Sequence, residues 1–154
     1  MVESTRRYTR TPEERADQAR SWNRPDTHFF AAGACHVLAD AAAELTDRIG
    51  ELVVIEPVGD RPGLHAYYRL DGRSFDFNGW ADEADLLATT WADYRADDPT
   101  WEATISVVDG GLEALCRHYP MRPPEAFAQP PKSRALAYAR RLGITLPPDR
   151  GPQV

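Results

Sequence analysis

Between the segments HAYYRL (65–70) and RSFDFNGW (73–80) stands the dipeptide Asp71-Gly72, the local signal that most restricts what the chain can build. Asp-Gly tolerates the positive φ angles of a two-residue hairpin loop, whose twist matches that of the flanking strands. With that loop, Leu70 pairs with Arg73, Tyr67 with Asp76 and His65 with Asn78, and directly opposed residues share one face of the sheet. One face then holds Ala66, Tyr68, Leu70, Phe75 and Phe77, an apolar set that belongs against a core. The other collects His65, Tyr67, Arg69, Ser74, Asp76 and Asn78. It places a carboxylate diagonal to an imidazole and a carboxamide directly across from it, so Asp76 or Asn78 can orient His65.

The rest of the chain supplies what that hairpin packs on. ELVVIEPV reads as a buried strand ended by a Pro/Gly cluster, and WEATISVV alternates Trp101, Ala103, Ile105 and Val107 as a further strand. TPEERADQARSW opens with a capping box at Thr11 and Glu14, with Pro12 first in the helix, and predicts a helix to about Trp22. Residues 23–27 have a loop composition. A helix is expected from Ala34 to Ile49, with Leu38, Ala41, Ala42, Leu45 and Ile49 on one face and Gly50 as its stop. DEADLLATTWADYR carries Leu87, Trp91 and Tyr94 at helical spacing, and a short helix bears Leu112, Leu115 and Cys116, the last read as core.

PMRPPEAFAQPP reads as a semi-rigid extended connector, followed by a basic helix, SRALAYARRLG, and a frayed tail. Ala135, Ala137, Ala139 and Leu142 suggest that this last helix docks, or that it takes a protein partner. The pattern predicts one domain of the α+β class, with a helix packed on a mainly antiparallel sheet of about four strands. Its parts are a helical arm (1–24), a core (25–119), the connector (120–131) and the terminal helix (132–143).

A formal charge of −6 argues against a nucleic-acid partner, because phosphate-binding surfaces need uncompensated Lys and Arg. The first residues have no apolar run behind their basic ones, and no stretch reaches the length of a membrane span, so a cytoplasmic protein without membrane association is expected. Two cysteines in dissimilar settings do not make a disulfide framework, and no zinc spacing is present. No metal or cofactor is therefore expected. Every basic residue except Lys132 is Arg, which suggests a bacterial source of high GC content.

Cys35 opens the Ala-rich helix in FFAAGACHVLADAAAEL. A thiol in a first turn feels the positive end of the helix dipole, and a neighbouring imidazole favours its thiolate further. At 100° per residue Cys35 lies at the edge of the apolar face, so its sulfur can look toward the sheet. His36 falls on the flank beside it, read as partly exposed. As oxyanion donors beyond the Cys35 amide, His28, Asn23 and His36 are candidates, and Tyr67 and Trp80 are candidate walls of a substrate pocket.

Gly33-Ala34-Cys35 entering a helix, His65-Ala66-Tyr67 on a strand and Asp76 on the next strand together resemble the core of transglutaminase-like and papain-like cysteine enzymes. The resemblance runs from Phe29 to Trp80. It implies a papain-like or transglutaminase-like core in which Cys35 is the nucleophile, His65 the base and Asp76 the orienting group. The activity implied is acyl transfer on a peptide or small-molecule amide, ester or thioester: hydrolysis, amide formation or cyclisation. Two other classes fit the residues: a non-catalytic interaction protein of the immunity or adaptor type, with Cys35 as packing, and a small-metabolite acid/base enzyme or cyclase of a biosynthetic pathway.

Overall fold

The Asp71-Gly72 hairpin is present in the computed structural model, which describes residues 2–144. Strands β2 (His65–Leu70) and β3 (Arg73–Asp76) pair antiparallel with Leu70 opposite Arg73, Arg69 opposite Ser74 and Tyr68 opposite Phe75, and both loop residues have positive φ. The segment RSFDFNGW, expected as one strand, is two. The chain turns at Phe77-Asn78 and returns from Gly79 (φ +80°) as β4 (Gly79–Asp82), which puts Trp80 opposite Phe75. Asn78 is therefore carried away from the position across from His65.

Strand β1 (Glu51–Pro57) lies between β2 and β5 (Ala103–Val108), and all neighbours in the order β4-β3-β2-β1-β5 run antiparallel. The fold is α+β, with an open sheet of five strands where about four were expected. Its two faces are covered by different helices. Leu52, Val54, Ala66, Tyr68, Leu70 and Phe75 pack on α4 (Cys35–Leu45) and its neighbours. Val53, Ile55 and Tyr67 pack with Leu86, Tyr94 and Trp101 beside α5 (Glu83–Asp97).

Helix α4 ends four residues before the expected Ile49. Thr46 donates from its hydroxyl to the Ala42 carbonyl (2.9 Å), and Asp47 and Arg48 take positive φ, so Ile49 is left exposed rather than on the core face. The expected helix over 12–22 is broken into α1 (Pro12–Ala16) and α2 (Gln18–Trp22), because Asp17 leaves helical geometry and caps the second piece by accepting from the amides of Ala19 and Arg20. The Thr11–Glu14 capping box forms as read. Residues 26–31, partly assigned to a loop, form α3 (Asp26–Ala31), which buries Phe29 and Phe30.

On α5 the buried stripe is Leu86, Thr90 and Tyr94: Tyr94 is buried as expected, while Leu87 and Trp91 flank the stripe and Leu86 and Thr90 take their places. Strand β5 is an edge strand whose Ile105 and Val107 are exposed; Trp101, just before the strand, is buried in the core, and Ala103 and Val108 pack against it half-buried. Helices α6 (Gly111–His118) and α7 (Lys132–Arg141) complete the α4 side. The C-terminal helix docks within the chain through Ala135, Tyr138 and Ala139, while Ala137 faces solvent. The tail from residue 145 lies outside the described residues. Among the described residues no helix is long and apolar enough to cross a membrane.

Candidate active site

The site sits where the first turn of α4 overhangs the end of the sheet. His65 is the first residue of β2, and alternation along the strand points Ala66 toward α4 and His65 the other way. At the strand end that separation is not a barrier. The Cys35 sulfur accepts from the Ala66 amide at 3.4 Å, and the His65 ring lies between Tyr67 of one face and Phe77 of the other. Cys35 and His65 thus meet around the end of the sheet.

His65 Nε2 lies 2.9 Å from Asp76 Oδ2, both side chains being 3% exposed. Asp76 Oδ1 accepts from the Asn78 amide at 2.8 Å, so both carboxylate oxygens are engaged. Because Nε2 is held by the carboxylate, Nδ1 is the nitrogen left for the thiol, and it is buried with no hydrogen-bond partner. A second imidazole approaches the sulfur from α4 itself. His36, 2% exposed rather than on an open flank, donates from Nε2 to the Arg122 carbonyl at 2.7 Å.

These neighbours decide the charge state. Burial pushes the Cys35 thiol up, but hydrogen bonding and positive charge from His36 and His65 more than reverse it and bring it down to about 5. Burial pushes the His65 imidazole down, and Asp76, followed by the sulfur, lifts it to about 10. His36 is lifted to about 9 against burial by its contacts with Cys116 and Cys35. The state favoured at neutral pH is a thiolate held between imidazolium groups, the form in which sulfur is nucleophilic. Ala34, the residue capping α4, offers no side-chain acceptor; the Val37 amide donates to the Ala34 carbonyl at 3.1 Å, which leaves the amides of Cys35 and His36 as the first-turn donors to negative charge.

A cleft of about 580 Å³ opens on Cys35 and His36. Its walls come from the arm before α1, the turn at Gly33, the loop at Pro62–Leu64, and the start of the Pro-rich segment at Pro120–Arg122. Arg24, 7% exposed, ties the arm to the turn by donating to the carbonyls of Tyr8 and Ala32 and pairing with Glu14 at 3.4 Å. The connector is thus part of the site, and Phe127 anchors it in the core.

Cys35, His65, Asp76 and His36 are brought together, and the remaining sequence candidates are not. Asn78 spends its carboxamide on the backbone of Glu3, as acceptor and donor at 2.9 Å each, so it positions Asp76 only through its amide. Asn23 caps α2, and His28 is exposed against the ring of Tyr8; neither lines the cleft. Tyr67 is fully buried with its hydroxyl on Glu83 (2.6 Å), and Trp80 packs on Tyr68 and Phe75 across the sheet, so neither is a pocket wall.

Arg10, Arg24 and Arg122 were not singled out from the sequence, where no spacing marks them. Cys116 packs half-buried against the core with its sulfur 3.6 Å from the Arg122 carbonyl. Among the described residues no group of three or more His, Cys, Asp or Glu side chains gathers in a way that could hold a metal ion. Comparison of the chain with protein-family models, with curated proteins and with solved structures gives no match.

Proposed function

We propose that this protein is a cysteine-dependent acyl-transfer enzyme in which Cys35 is the nucleophile, His65 the general base and acid, and Asp76 the group that orients the imidazole. The observation that carries the reading is the buried His65–Asp76 pair, whose other ring nitrogen has no hydrogen-bond partner and which stands beside a thiol at the mouth of a cleft. A histidine serving packing alone has no need of a buried carboxylate on one nitrogen and a sulfur beside the other. The order of a cysteine helix, a histidine strand and an aspartate strand is also what the resemblance to transglutaminase-like and papain-like enzymes implies for the core.

In the proposed reaction the Cys35 thiolate adds to an amide, ester or thioester carbonyl, forming a C–S bond and a tetrahedral oxyanion that first-turn amides of α4 can stabilise. The His65 imidazolium gives its Nδ1 proton to the leaving group as the C–N, C–O or C–S bond breaks. Neutral His65 then takes a proton from water or an acceptor amine, which attacks the thioester and frees Cys35. Asp76 holds the ring and its charge throughout.

The direct test is alkylation of native protein by iodoacetamide with peptide mapping of each cysteine. Rapid labelling of Cys35 at pH 6, lost in His65→Ala, is the expected result. Slow labelling that is indifferent to His65 would leave the reading without a nucleophile.

A further inference from the structure

The cleft over Cys35 has a composition at odds with the chain that builds it. The protein carries a formal charge of −6, yet the cleft is lined by Arg10, Arg15, Arg61 and Arg122 and by no Asp or Glu. Arg61 is matched from outside, by Asp98 at 3.4 Å and the Thr100 carbonyl at 2.7 Å. Arg10, Arg15 and Arg122 form no side-chain ion pair or hydrogen bond with any described residue.

Arg10 is the sharpest case. Its guanidinium lies on Gly33, two residues before Cys35: a Cβ at Gly33 would stand 3.2 Å from Arg10 Cζ and Nη1, and the positive φ of +109° makes any side chain there doubly unfavourable. Nη1 is buried with no hydrogen-bond partner. A buried, unpaired donor costs free energy comparable to a lost hydrogen bond, and like charges held close together add to it. Burial and the charges of Arg122, Arg15 and Arg24 lower the Arg10 guanidinium to about 10. An arrangement with that cost is relieved by an anion.

Building on the acyl-transfer reading, we propose that the cleft is an anion subsite: the acyl substrate carries a carboxylate or phosphate that Arg10 and Arg122 bind while its carbonyl lies against Cys35. A planar guanidinium offers paired donors to either group. Arg15 adds positive charge to the cleft wall and draws anionic substrates toward it.

Charged and neutral alkylating agents test this, because both lose iodide to the same thiolate and the ratio of their rates is independent of how much thiolate is present. Iodoacetate and iodoacetamide rates at Cys35 are measured at pH 7 and low salt, with the full chain and with Arg10→Gln. Arg122→Gln is a second variant that keeps the backbone carbonyl used by His36. The expected result is a preference for iodoacetate at Cys35, falling about tenfold in either variant and shrinking as salt is raised. Fast labelling with no preference for the anion, unchanged by the variants, overturns the subsite and leaves the nucleophile standing. Slow labelling by both reagents overturns both.

Protection against iodoacetamide then identifies the anion. Inorganic phosphate protecting at lower concentration than acetate assigns a phosphate-bearing substrate, and the reverse order assigns a carboxylate. Protection by neither overturns the proposal.

Discussion

The two cysteines share a neighbour and differ in what their sulfurs are asked to do. Cys116, on α6, is placed to donate to the Arg122 carbonyl, a bond that requires its proton. Cys35, at the start of α4, accepts from the Ala66 amide and stands beside two imidazoles, contacts that favour a lone pair over a proton. His36 touches both sulfurs. Both sulfurs lie beside His36, and what separates them is the backbone: an amide donor faces Cys35 and a carbonyl acceptor faces Cys116, the difference on which the proposed role of Cys35 rests.

The most disruptive way to break this contrast is Asp76→Ala. It strips a buried imidazolium of its counter-charge, and breaking a buried pair from one side costs on the order of 3–5 kcal/mol. Denaturant melts should show a loss of that size, together with slower Cys35 labelling. His65→Ala is expected to slow Cys35 alkylation at pH 6 by roughly tenfold, since the loss of thiolate outweighs the higher intrinsic nucleophilicity of a less acidic thiol. Mass mapping of the Cys116 peptide in the same samples should show no change.

The pH profile sharpens the comparison. With the thiol lowered to about 5, Cys35 reactivity should rise through pH 5 as the proton leaves and then stay level to about pH 9. An ordinary thiol instead climbs through about 8.5. Below pH 5 the sulfur is protonated and the rate falls, so the acid limb reports Cys35 itself. A Cys35 profile that climbs only above pH 8 would show that the two imidazoles do not hold a thiolate there. The smallest effect is expected for Asn78→Ala, which removes the carboxamide bonds to Glu3 but not the amide bond to Asp76. A loss of about 1 kcal/mol with little change in Cys35 labelling should result.

What the sequence made legible follows the range of its signals. The Asp71-Gly72 loop acts over a few residues, and it placed Leu70 opposite Arg73 and put His65 and Asp76 on one side of the hairpin. It could not show that the strand stops at Asp76, because that depends on Gly79 folding β4 back. Reading Asn78 across from His65 extended a correct register beyond its last paired residue. His36 was placed on an open flank because helical angle alone says nothing of what the connector brings over it, and the Arg122 carbonyl is what buries it. Tyr67 and Trp80 were offered as pocket walls because aromatic residues near a site suit a pocket; α5 and the β4 turn claim them for packing. The arginines of the cleft carry no local pattern, being gathered by a turn at Gly33 and by a segment from the far end of the chain.

The separations along the chain also set a sequence of events in folding. His65 and Asp76 are 11 residues apart and are joined by a hairpin, an element that closes within microseconds. The Cys35 sulfur meets β2 across 31 residues, and the carbonyl that holds His36 arrives across 86. Each longer loop carries a larger closure entropy, so those contacts come later. On the proposed reading, the imidazole and its carboxylate come together before the sulfur has both of the neighbours that lower it, and His36 is held in place only once residue 122 has docked. If Cys35 is the nucleophile proposed, that order leaves the activated thiol to the finished chain and not to a half-made one, whose unfolded backbone would be within its reach.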